Sequence, residues 1–145
     1  MNESRLDLAR KFGADTVVDA RQGPFDQAVC QITDGQGVDV VLEFVANAQT
    51  LPSSYRSLKR AGRLVFVGYT PEVPMSVMPH ELVRNEWEIM GARATTKQEL
   101  QETMDLVAQG RIQPIVDRIF PLKDIELAFE ALRQGNSLGR NVVAV

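Results

Sequence analysis

Cysteine is almost absent from this 145-residue sequence. Cys30 stands alone, so no internal disulfide and no cysteine-rich metal site can be built from it. Histidine is as scarce: His80 is the only one, with no second histidine or cysteine near it, and a metal site needs several such donors. Neither sign of charge dominates, and a net charge of −3 leaves no electrostatic footprint for nucleic acid or an anionic membrane surface. No apolar run approaches the roughly 20 residues of a membrane helix, and the first residues show no signal-peptide pattern. The expectation is a cytoplasmic protein with neither nucleic-acid nor membrane partners.

What the chain does have is an apolar share of 44%, enough for a buried core in one ordinary domain. Two runs organise it: Val38-Asp39-Val40-Val41-Leu42-Glu43-Phe44 and Arg63-Leu64-Val65-Phe66-Val67-Gly68. Both read as parallel strands buried on two faces, because apolar residues continue without polar alternation. A helical stretch from Gln49 to Lys59, closed by Arg60-Ala61-Gly62-Arg63, lies between them. Strand, crossover helix and strand form a right-handed βαβ unit. Ligands of open parallel sheets sit beyond the strands' carboxyl ends, which here means Phe44-Val45-Ala46-Asn47 and Val67-Gly68-Tyr69.

The rest alternates in the same manner. Asn2 caps an expected helix running to Phe12, with Gly13 as its stop. Thr16-Val17-Val18-Asp19 reads as a short strand. Phe25, Ala28, Val29 and Ile32 recur at helical spacing before the Asp34-Gly35-Gln36-Gly37 turn. A loop punctuated by Pro71, Pro74 and Pro79 leads to a helical piece at Glu81–Arg84 and a strand at Trp87–Gly91. Thr96 and Glu99 form a capping box for a helix carrying Leu100, Met104, Val107 and Ala108. Ile115–Phe120 is extended, Ile125–Leu132 is an amphipathic helix ending at Gly135, and Arg140–Val145 is a closing strand. The class is α/β, a Rossmann-like parallel sheet.

That sheet is incomplete. A doubly wound nucleotide-binding fold opens with a strand, a G-x-G-x-x-G turn and a helix holding pyrophosphate. Gly35-Gln36-Gly37 is no substitute, since Val40 stands at the third glycine and the pair precedes a strand. In the order 3-2-1-4-5-6, only strands three to six are expected here. Thr16–Asp19 must then pair directly with Val38–Phe44, pair with another chain, or leave an edge bare, and a bare apolar edge invites association.

The residues resemble the medium-chain dehydrogenase/reductase family, the zinc-type alcohol dehydrogenases. The likeness runs through Asn2–Asp15, Gly35–Glu43, Gly62–Gly68, Val116–Leu122, Ala128–Leu132 and Gly139-Arg140, in the family's order. The resemblance implies that residues 1–95 are the later part of the nucleotide-binding domain, and that residues 96–145 are the family's C-terminal helices and strands. It implies a cofactor, NAD or NADP, with zinc in the parent family but no zinc ligands in this chain. Arg5 matches the basic side chain at the adenosine ribose, and Arg140 the arginine that pairs with the pyrophosphate. Phe44, Val45 and Ala46 match the loop beside ribose and nicotinamide; Ala46 replaces the glycine of many members. Val67, Gly68 and Tyr69 match the next loop, and Ala92, Arg93 and Ala94 the turn facing the carboxamide. The strand at Trp87–Gly91 is similar to the family's dimer edge, so the implied partners are a second copy or a complementing chain, and a small alcohol or carbonyl substrate.

By residue type alone, Arg5 and Arg140 are solvated charges, and Val45, Val67, Gly68 and Tyr69 are strand-end packing. His80 reads as an exposed loop residue and Cys30 as a small half-buried hydrophobe. Asp39 and Glu43 share a strand face, where hydrogen-bonded structural roles or a sheet-edge location are expected rather than acid–base work. No catalytic group is expected in this chain. The first functional reading is a portion of a zinc-type alcohol dehydrogenase-like oxidoreductase that supplies cofactor walls and dimer contacts. The alternative is a catalytically silent α/β module that associates through exposed strand edges.

Overall fold

The computed structural model describes residues 3–135 and 137–145; the cap expected at Asn2 lies outside them. In chain order the helices and strands are α1 (Glu3–Lys11), α2 (Phe25–Ile32), β1 (Val38–Glu43), α3 (Thr50–Arg56), β2 (Leu58–Phe66), α4 (Pro79–Asn85), β3 (Glu88–Gly91), α5 (Lys97–Ala108), β4 (Val116–Pro121), α6 (Ile125–Arg133) and β5 (Arg140–Ala144). A 3-10 turn, Leu122–Asp124, leads into α6. No described helix is long and apolar enough to cross a membrane.

By internal contacts the chain forms two units, Thr16–Ala94 and residues 3–15 with Thr95–Val145. In the first, β1, β2 and β3 form a parallel sheet in that order. Its core is Tyr55 on α3 with Leu58 and Leu64 on β2, flanked by Val41, Phe66, Met75, Val77 and Trp87. The Tyr55 and Trp87 rings meet at 5.8 Å in a tilted arrangement, and the Trp87 indole N–H donates to the Lys59 carbonyl at 3.0 Å. An indole buried this way needs such an acceptor. Gly37 is required where it stands: its φ is +79° and an added Cβ would lie 2.7 Å from the Ser57 carbonyl oxygen.

Three expectations for this unit are corrected. Thr16–Asp19 is not a strand, and β1 has no partner on that side among the described residues. β-propensity alone does not make a strand without a ladder to join. The helix expected to reach Lys59 stops at Arg56, and β2 starts at Leu58 because Leu58 pairs with Val38 before the register jumps to Arg63 and Val40. The extra residues bulge, with Ala61 at φ +56°. Finally, β1 is not buried on both faces. Val41 and Glu43 face the α3 side with Leu64 and Phe66, whereas Val40 and Leu42 on the other face are half exposed. Two smaller differences follow: Cys30 is exposed, and His80 sits on α4, which begins at Pro79.

In the second unit β4 and β5 pair in parallel, with Ala128 and Ala131 of α6 buried. The Asn141 amide donates to the Ala128 carbonyl at 3.3 Å, tying β5 to α6. Leu6 is the buried residue of α1. The capping box opens α5: the Glu99 amide donates to the Thr96 hydroxyl at 3.2 Å, and the Thr96 amide to the Glu99 carboxylate at 2.7 Å.

Candidate functional site

Parallel pairing brings the carboxyl ends of β1, β2 and β3 to one end of the first unit's sheet, and the loops that follow them are stitched together. The amides of Val67 and Gly68 donate to the Glu43 carbonyl at 2.8 and 3.0 Å, and the Thr70 hydroxyl donates to the Val45 carbonyl at 2.8 Å. On the other side, the Ala92 amide donates to the Phe66 carbonyl at 2.8 Å. All the candidate residues except Arg5 and Arg140 therefore collect in three neighbouring loops. Their apolar side chains stand outward: Phe44 is 63% exposed, Val45 50%, Val67 45% and Tyr69 81%. Ala46 is the exception, buried at φ +50°. Ala92, Arg93 and Ala94 are exposed.

Glu43 underlies this arrangement. One carboxylate oxygen accepts the Val45 and Ala46 amides at 2.8 and 2.9 Å, and the other accepts the fully buried Ser54 hydroxyl at 2.5 Å. Burial alone pushes its pKa up, but the Ser54 hydroxyl and the Ala46 and Val45 amides outweigh it and hold the carboxyl below the usual glutamate value. Asp39, by contrast, is exposed and pairs with Lys59 at 2.5 Å, so the two acids share no function. Residue types alone underplayed Glu43; the one signal was an acid near the end of an apolar run. Asn47 was also missed as a helix cap. Its side-chain oxygen accepts the Gln49 and Thr50 amides, each at 2.8 Å, as α3 begins.

Beside the end of β1 a cavity of about 690 Å³ opens, bordered by Arg21, Phe25, Val45, Asn47 and Arg56. That volume suits a small-molecule ligand, whose sites run roughly 300–1,000 Å³. Arg21 is held in place by a two-pronged bond to Asp19, whose carboxyl the Arg21 side chain lowers to about 2.

Arg5 and Arg140 lie in the second unit. The Arg5 guanidinium donates to the Gly135 and Ser137 carbonyls at 2.8 and 3.2 Å, which ties α1 to the end of α6. Arg140 opens β5 opposite Val116, and its side chain is exposed. Among the described residues no three His, Cys, Asp or Glu side chains are placed to hold a metal ion.

The profile of the family described as "Zinc-binding dehydrogenase" matches residues 12–143. The chain belongs to this family. It is similar to an alcohol dehydrogenase of Geobacillus stearothermophilus, 30% identical over all of this chain and 42% of that enzyme. An NAD-dependent alcohol dehydrogenase of Sulfolobus acidocaldarius is 29% identical over the whole chain and 41% of its own length. The crystal structure of the alcohol dehydrogenase from Aeropyrum pernix superposes with a TM-score of 0.92 at 34% identity, again over the whole chain and 41% of the enzyme. This dehydrogenase segment thus spans about two fifths of the relatives it matches. The α/β architecture with parallel strands seen in this chain is what the sequence led us to expect. The zinc in the family's description has no ligand set among the residues described.

Proposed function

We propose that this segment forms one wall of a nicotinamide cofactor site, for NAD or NADP, in an oxidoreductase acting on a small alcohol or carbonyl compound. The observation that carries the reading is the cluster of three bonded loops at one sheet end, presenting Phe44, Val45, Val67 and Tyr69 to solvent. Exposed apolar side chains on a rigid backbone suit a flat ring and a sugar, and the carboxyl end of a parallel sheet is where such ligands bind. The bound nicotinamide would carry the hydride, while this segment positions it. The G-x-G-x-x-G turn that cradles pyrophosphate does not occur in the sequence. Arg140 is exposed, and among the described residues no bond to its guanidinium is seen, which makes it the better phosphate ligand of the two arginines. Arg5 already serves two carbonyls. In the same reading, residues 1–95 belong to the nucleotide-binding domain and 96–145 to the C-terminal segment, and the outer edge of β3 joins a second copy or a complementing chain.

Titration of the purified chain with NADH and NADPH, followed by cofactor fluorescence and Trp87 emission, tests the proposal. Saturable binding weakened several-fold by Arg140→Ala supports it. Absence of binding at millimolar cofactor sinks it.

A second reading rests on β1. Its outer edge has no partner strand among the described residues and Val40 and Leu42 are half exposed, the pattern of a module that associates through strand edges. A chain that is associated in solution yet ignores both cofactors would favour it.

A further inference from the structure

Glu43 combines three properties that do not ordinarily coincide: burial, ionisation and the lack of a cationic partner. It is 5% exposed, and no ion pair to it occurs among the described residues. Taking a carboxylate out of water is costly unless hydrogen bonds replace the lost solvation. Here they do, and each of the donors has a structural address. Val45 and Ala46 belong to the loop after β1, and Ser54 belongs to α3.

The main chain of the same residue reaches the other way. Its carbonyl receives the Val67 and Gly68 amides, the first two residues of the loop after β2. One residue thus accepts four backbone amides, two from each loop. The Thr70 hydroxyl closes the arrangement on the Val45 carbonyl. Gly68 packs so near Phe44 that no side chain fits between the two loops. Ala46 is left in the left-handed region at φ +50°, a conformation unfavourable for an alanine that persists only where the surroundings impose it. In that conformation the Ala46 amide donates to the Glu43 carboxylate.

We propose that Glu43 is a positioning residue: it clamps the loops after β1 and β2 into one rigid ligand wall, setting the outward stance of Phe44, Val45 and Val67. The role of that wall toward a nicotinamide cofactor rests on the function proposed above; the clamp itself does not.

The test separates the two. Amide hydrogen exchange is measured by NMR without cofactor on the native chain, Glu43→Ala, Glu43→Gln and Ser54→Ala. Glutamine keeps an oxygen for the two loop amides and can donate to the Ser54 hydroxyl, which turns its proton to the Thr50 carbonyl 2.9 Å away. Glu43→Ala keeps the main-chain carbonyl, so it is expected to speed exchange at least tenfold at Val45 and Ala46 and, through the Thr70 bond to the loosened Val45 carbonyl, more than threefold at Val67 and Gly68, with less than threefold change at Leu64 and Val65. Glu43→Gln should stay within threefold of native throughout. Unchanged exchange at Val45 and Ala46, a change that spares Val67 and Gly68, or a uniform rise across the sheet overturns the clamp. If Glu43→Ala does not fold, Ser54→Ala decides the matter by the same pattern at a threefold threshold.

NADH titration of the same variants reads the consequence. With a native chain that binds, at least tenfold weaker binding in Glu43→Ala, restored in Glu43→Gln, supports positioning, and equal binding overturns it. A native chain that ignores NADH defeats the cofactor reading, and the exchange pattern still decides the clamp.

Discussion

Gly68 and Phe44 touch backbone to backbone: a Cβ built on Gly68 would overlap the Phe44 carbonyl oxygen and lie 2.6 Å from its carbon. The glycine is needed for space, because the obstacle is main chain and cannot rotate away. Gly68→Ala should therefore force the loops after β1 and β2 apart and strain the Val67 and Gly68 bonds to Glu43. A loss of about 1–3 kcal/mol is expected, the usual cost of overpacking, seen as a lower urea midpoint. An unchanged midpoint would show that the two loops part freely.

Leu64 is the one large side chain of the first unit with no exposure at all. It shares a buried cluster with Tyr55 and Leu58, against which Trp87 packs, so its truncation is expected to leave a cavity there. Leu64→Ala should cost about 2–5 kcal/mol, a large share of a typical domain's stability. Trp87 fluorescence during urea unfolding measures it, and a cost under about 1 kcal/mol would mean the sheet repacks around the gap.

Asp19 gives a signature in acid. Its carboxyl is lowered from 3.8 to about 2, chiefly by the hydrogen bond from the Arg21 side chain. A carboxylate depressed in the folded state adds stability that is present above its unfolded pKa and is lost as pH falls toward the folded one. The Asp19–Arg21 turn should accordingly loosen between about pH 4 and about pH 2. Titration of the Asp19 side-chain carbon by NMR should show a midpoint about 2, moving up toward 3.8 in Arg21→Ala. A native midpoint already at the ordinary value would refute the pairing.

The helices were legible because their signals are local. Apolar spacing and a glycine stop marked α2 and α6, and the Thr96 and Glu99 pair marked the start of α5 with its reciprocal bonds. The strand errors have a common cause: pairing is decided elsewhere in the chain. Thr16–Asp19 has strand-like residues and no strand partner among the described residues, while Leu58 and Lys59 looked helical and Leu58 pairs because Val38 lies opposite. The gathering of the candidate loops at one sheet end was legible, since parallel strands put their carboxyl ends together whatever follows them. Its support was not. That Glu43 turns its carboxylate back onto Val45 and Ala46, and that Arg5 spends its guanidinium on Gly135 and Ser137, depends on backbone geometry that residue types do not encode.

The most direct test of the proposed cofactor wall is a map of backbone amide shifts in the isotope-labelled chain as NADH is added. Saturable shifts should gather at Phe44–Ala46, Val67–Thr70 and Ala92–Ala94, with half-saturation below millimolar and a weaker effect at Arg140. Shifts that never saturate, or that leave these three loops untouched, would show that the sheet end is not a cofactor wall in this chain.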